Sequence, residues 1–256
     1  MAKTPEHHPI EQKTYLYNGE AVAATGHFTL PAVSNIGVQV SVALPMDGGV
    51  GHAASGAFSH QGIYQFASAH SQVSGHYSEQ KDAYCTLAQT VTEGLNIHEM
   101  VTCDRLVSRV AVHHKYGEDP YITPLGSTIQ NLRIGGYKVE PVLDVDWFSE
   151  YGTWQDFLKH HGKLAKHQNV EQGAHEKERP HLFQCSMVKD WGKLPMGVVP
   201  HGHGLWIPEF GVVYIGEIFV ARTSRRVRMV RTRMGCGTQG GTGSGMSGGG
   251  GSPWGN

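Results

Sequence analysis

From Thr14 to Met234 apolar side chains recur mostly at every second position, the spacing of strands with one face in a core. In Ile36-Gly37-Val38-Gln39-Val40-Ser41-Val42-Ala43-Leu44 the valines and Leu44 share one side of a pleat. Thr14-Tyr15-Leu16-Tyr17 opens an earlier strand, and Asn18-Gly19 predicts a hairpin turn before Ala21 to Leu30. Phe58 through Ser74 continues the pattern. The stretch from Tyr84 to Val112 reads as strands because of Thr90-Val91-Thr92 and Gly94, with a helix over Glu99 to Val110 as the other reading. Ser127 to Ile134 and Tyr137 to Leu143 flank Gly135-Gly136 as a second hairpin. Val212 to Val220 and Arg225 to Met234 are the last alternating runs.

One segment changes period. Trp154, Phe157, Leu158, His161 and Leu164 fall at helical spacing, and Thr153 with Asp156 three residues on forms a helix start. About ten to thirteen strands and one capping helix (about residues 153–165) predict a mainly β protein, a β-sandwich or jelly-roll-like body. The expected organisation is a polar arm over 1–12, one β-rich domain over 13–234, and a glycine-rich C-terminal arm over 235–256.

That arm holds eleven glycines among 22 residues, and only Met246 and Trp254 offer an apolar anchor. Such a ribbon cannot bury enough surface to offset its ordering entropy by itself. It is therefore expected to lie in a groove of folded protein, on this subunit or a neighbour, that accepts Trp254 behind Pro253. From this follows the leading functional expectation: a noncatalytic structural or assembly subunit of a homo- or hetero-oligomer or surface filament, with the arm as intersubunit contact.

The composition agrees with a turn-rich β protein: 34 glycines and 17% charged residues, with a net charge of −1 that gives no overall pull toward polyanions. Residues 1 to 12 lack the apolar stretch of a secretory signal, and no run is long enough for a membrane span. A cytoplasmic or non-classically exported protein is expected. Cys85, Cys103, Cys185 and Cys236 form no Cys-x-x-Cys pair, which favours buried free thiols.

Six of the ten arginines, Arg222, Arg225, Arg226, Arg228, Arg231 and Arg233, fall within twelve residues and meet no acid. Strict alternation would split Arg226 and Arg228 from Arg231 and Arg233, whereas a bulge near Met229-Val230 would return all four to one face. The readings are a guanidinium ladder pairing with carboxylates across an interface, an edge strand protected by charge, or a polyanion stripe. Nucleic acid is disfavoured because no aromatic residues interleave the arginines.

Histidine supplies the alternative chemistry. His201 and His203, with Glu209 six residues on, resemble two ligands and an acid of a cupin-type centre, and would hold a divalent metal in a metal-binding protein or metal-dependent enzyme. The remaining adjacent pairs, His7-His8, His113-His114 and His160-His161, diverge, and His161 reads as a packing residue. Asp144 and Asp146 are a candidate acid pair, more simply an exposed turn. No nucleophile elbow or phosphate loop is present, so no catalytic residue is assigned.

The run Thr90-Val91-Thr92-Glu93-Gly94-Leu95-Asn96-Ile97 to Val101-Thr102-Cys103-Asp104-Arg105-Leu106-Val107, followed by Gly126-Ser127-Thr128-Ile129-Gln130-Asn131-Leu132-Arg133-Ile134-Gly135-Gly136-Tyr137, resembles the core of bacterial choice-of-anchor P type β-rich proteins. Cys103 stands where that pattern usually has alanine. The resemblance, over about residues 84–140, implies a noncatalytic, surface-associated β protein and supplies no catalytic residues.

Overall fold

The computed structural model describes residues 15–28, 33–165, 168–172, 182–235 and 240–253, with the side chains of 169–172 left aside. The chain is mainly β, and its two large sheets are antiparallel and open. The first sheet runs, edge to edge, Asn169–Gln172, Leu182–Ser186, Gly211–Ala221, Ser224–Met234, Gly240–Pro253, Tyr15–Phe28 and Ser34–Ala43. A hairpin of Val199–His201 and Gly204–Ile207 branches from Gly211–Ala221. The second sheet is built around Ser68–Ser78, Ala83–Ile97 and Val101–His114. The sheets pack face to face as a sandwich, and the alternation that marked the strands sets which residues fill it. Along Val101–His114 the inward positions Leu106, Ser108, Val110 and Val112 are all fully buried.

The glycine-rich segment is part of this body. Gly240–Pro253 lies in the middle of the first sheet, paired along its length with Tyr15–Phe28 on one side and with Ser224–Met234 on the other. The expected boundary at 235 and the expected reach to a neighbouring subunit therefore give way to an internal strand of the same chain. The physical reason is steric. A β-carbon on Gly245 would stand 2.8 Å from Leu106 Cδ2, and one on Gly249 would stand 3.1 Å from Val112 Cγ2, so only glycine lets the two sheets meet this closely here. Hydroxyls complete the seam: Ser247 Oγ lies 2.6 Å from Ser108 Oγ, Ser244 Oγ lies 2.7 Å from the Tyr64 hydroxyl, and Thr90 donates to the Met246 carbonyl at 3.0 Å. The strand gains its order from partners on both edges and one face, not from apolar side chains of its own. Trp254, Cys236 and the N-terminal arm lie outside the described residues.

Two other expectations differ from the structure. Asn18-Gly19 is no turn: Tyr15–Phe28 passes straight through it, and Gly19 is small because Thr86 and Leu44 press within 3.2 and 3.3 Å of where a β-carbon would sit. The helical segment is also more elaborate than one helix. Val145–Glu150 precedes Trp154–His160, and a short 3₁₀ turn follows over His161–Lys163. Thr153 caps the second helix as its spacing implied, accepting from the Asp156 amide at 3.1 Å and donating to the Asp156 carboxylate at 2.8 Å. The region 101–112 is strand, so the helical reading of 99–110 falls. Cys85 and Cys103 are free thiols.

Candidate functional site

Ser224–Met234 carries four of the six clustered arginines on the face of the first sheet that points away from the sandwich. The pairing explains how. Against Gly211–Ala221 the register steps from Ile215↔Val230 to Glu217↔Arg228, and against Gly240–Pro253 from Val230↔Ser244 to Arg228↔Met246. Met229 is passed over, and Met229 and Val230 both point into the core, each fully buried. Gly216 and Gly245 are skipped at the same level with φ of +61° and +57°, and Ala23 is skipped on the next strand. This crease crosses four adjacent strands and reverses the inward and outward phase of each, so Arg226, Arg228, Arg231 and Arg233 share one face. The strand is central, which removes the reading of its charges as edge protection.

Beside the arginines the glycine strand supplies almost no side chains outward. Gly243 lies under Met246 and Arg228, and Gly248 lies between Arg226 and Glu20. The result is a trench holding two adjoining hollows that share Arg228 and Met246. One, of 530 Å³, is lined mainly by Val22, Leu182, Phe219, Ala221 and Met246, with Arg226 and Glu20 at its rim. The other, of 470 Å³, is polar, lined by Thr25, His27, Arg228, Arg231, Arg233 and the backbone of Gly240 to Gly243.

The four guanidinium groups are not equivalent. Arg226 pairs with Glu20 across the glycine strand at 2.9 Å, half in water. Arg231 forks onto Glu217, Nε to Oε2 at 2.7 Å and Nη2 to Oε1 at 2.6 Å, and its guanidinium lies 3.7 Å from the centre of the Tyr214 ring. Glu217 is fully buried and also accepts from Gln184 Nε2 at 2.6 Å and from His203 Nε2 at 2.8 Å. Burial pushes the Glu217 carboxyl up, but the hydrogen bonds and charges of Arg231 and His203 outweigh it and hold the group down at about 2. Arg228 sits 4.0 Å from Glu217 and over the Phe219 ring, its Nε is buried without a hydrogen-bond partner, and desolvation lowers its pKa. Arg233 is exposed and makes no ion pair among the described residues.

The two remaining arginines of the cluster stand elsewhere. Arg225, one position off the outward phase, points into the protein and is 1% exposed. It donates to the carbonyls of Phe148, Tyr151 and Gly152 at the end of the first helix, and burial lowers its pKa to about 10. It is a structural clamp, not a contact residue. Arg222 lies in the turn before the strand, 4.0 Å from Asp119. Of the other sequence candidates, Met246 overhangs both hollows, and Pro253 ends the glycine strand opposite Tyr15.

The histidine centre is not assembled. His201 ends one strand of the 199–207 hairpin and is exposed, His203 lies beyond it in the turn, and Glu209 is exposed at a φ of +60°. The two histidines therefore do not share a strand face, and the His203 ring is engaged with Glu217. No group of three metal-ligating side chains occurs among the described residues. Asp144 precedes the first helix and Asp146 lies within it, so the two do not form a strand-borne acid pair. His161 stacks on Phe157 and lies 4.8 Å from the Phe183 ring, as a packing residue does.

Sequence reasoning missed Glu217, Tyr214 and Gln184. The apolar run Val212 to Val220 hid a single carboxylate, and its lone charge in a core strand was the signal available.

A sandwich with an arginine-lined trench on one outer face is the class that fold and site define. Residues 15–181 match the family described as a domain of unknown function (DUF8256), and the chain belongs to that family. The match ends before the arginine and glycine strands, so of the trench only the wall on Tyr15–Phe28 falls inside it. No curated protein and no solved structure matches the chain.

Proposed function

We propose that the protein is a noncatalytic structural or assembly subunit and that the arginine face of its first sheet is the contact surface. The observation that carries this reading is the crease that turns Arg226, Arg228, Arg231 and Arg233 outward together beside a strand stripped of side chains. Four guanidiniums meet two carboxylates, Glu20 and Glu217, so the face is left with positive charge to be matched from outside. The resemblance to choice-of-anchor P type proteins points the same way, toward binding without chemistry. A metal-dependent role has less support, since His203 is committed to Glu217 and neither His201 nor Glu209 converges on it.

The test is the native size of the protein in extracts of its source cells, by size-exclusion chromatography at low and at about 0.5 M salt. The reading expects a particle well above the 27.9 kDa of one chain. It expects high salt, or the double variant Arg228→Glu/Arg233→Glu, to release the single chain. A monomer under all conditions, or a large particle indifferent to the double variant, overturns it.

A further inference from the structure

The two hollows of the trench differ in chemistry, and the difference specifies an occupant. At the Arg226 end the guanidinium is neutralised by Glu20, and what remains open is the apolar wall of Val22, Leu182, Phe219 and Met246. At the other end Arg231 is fully used by Glu217, while the half-buried Arg228 stands 4.0 Å from Glu217, beyond hydrogen-bond reach, and Arg233 is exposed. Among the described residues, the guanidiniums on this face with charge least satisfied are thus those of Arg228 and Arg233. Because Met229 and Val230 occupy a single step of the crease, the outward positions 228, 231 and 233 are successive. At about 3.3 Å per extended residue, Arg228 and Arg233 lie about 13 Å apart, four residues of a strand-like chain.

We infer that the trench takes an extended acidic segment of a partner protein, with carboxylates four residues apart on Arg228 and Arg233 and an apolar side chain beyond the first of them in the Val22–Phe219–Met246 hollow. The part-exposed backbone of Gly240 and Gly241 on the floor of the polar hollow is what lets a second chain lie close to the sheet. Polar and apolar hollows that share Arg228 and Met246 make the two ends of the segment a single recognition unit. Planar guanidiniums favour carboxylates, which they bind through two parallel bonds. A nucleic acid would leave the apolar hollow unfilled; it could stack on the exposed Trp206, which stands in line with Arg233 across Val212, and the oligonucleotide measurement below decides between the two. This assignment rests on the arginine face being the contact surface, and it adds the partner's pattern.

The experiment uses the intact chain and labelled synthetic peptides, read by fluorescence anisotropy at low salt. One peptide carries Asp at two positions four apart with Leu two residues before the first. A second replaces Leu by Ser, and a third replaces both Asp by Asn. The full pattern is expected to bind best, with each altered peptide weaker by about tenfold or more. Arg233→Glu, on an exposed side chain, should abolish the advantage of the Asp pair. Val22→Asn should abolish the advantage of Leu and leave the Asp pair effective. Equal binding of the Leu and Ser peptides overturns the inference and leaves the arginine face standing as a simple cationic surface. Equal binding of the Asp and Asn peptides, no binding of any peptide, or tighter binding of a single-stranded oligonucleotide than of the full pattern also overturns it. The native-size measurement on Arg228→Glu/Arg233→Glu decides the assembly reading separately.

Discussion

Glu217 shows how a buried charge can be held on a sheet that faces outward. Four donated hydrogen bonds surround its two oxygens, and the carboxyl is depressed from 4.5 to about 2 despite full burial. A depressed carboxyl adds stability above its unfolded value and loses it as pH falls through the folded value. The contribution, about 3 kcal/mol at neutral pH, should therefore disappear between about pH 4.5 and 2. Thermal unfolding across that window checks it: Glu217→Gln should be less stable at pH 7 and show a flatter decline below pH 4.5 than the parent protein. Arg225 makes a second residue-scale prediction. Arg225→Leu strands the carbonyls of Phe148, Tyr151 and Gly152 and should cost about 2–4 kcal/mol in denaturant unfolding, without changing binding at the arginine face.

Among the elements, the glycine strand decides the most. Its low apolar content suggested a segment needing a folded surface to lie on, and that physical argument holds: the surface is two neighbouring strands and the facing sheet of the same chain. What could not be read was which surface, because main-chain pairing leaves no pattern in side chains when eight of the strand's fourteen positions are glycine. The same blindness explains Asn18-Gly19, where a turn signal marks a close sheet contact instead. Alternation did show the strands around Val101–His114 and Gly211–Ala221, since their inward residues are large, and the cap at Thr153 was legible from spacing alone. The role of Arg225 was not, because one step of phase separates a surface arginine from a buried one. Two predictions belong here. Gly245→Ala, at a φ of +57° and against Leu106, should destabilise by about 2 kcal/mol. Deleting 240–256 removes a central strand and exposes two unpaired edges, so the truncated chain should aggregate or lose its cooperative unfolding, as followed by circular dichroism and light scattering.

The molecule as a whole joins a tight inner seam to an open outer trench through one strand. Glycines at 245 and 249 draw the sheets together, and glycines at 243 and 248 let Arg228, Met246, Arg226 and Glu20 lie down across the outer face. Among the described residues no helix is long and apolar enough to cross a membrane. The account stands or falls on Gly240–Pro253 being an ordered inner strand of its own chain, because without it neither seam nor trench exists. Hydrogen–deuterium exchange resolved to that segment, on the dilute monomeric protein, tests this most directly. Its paired amides should be protected to the same degree as those of Ser224–Met234. Exchange at the rate of an unstructured peptide over 240–253, with Ser224–Met234 still protected, would contradict the account.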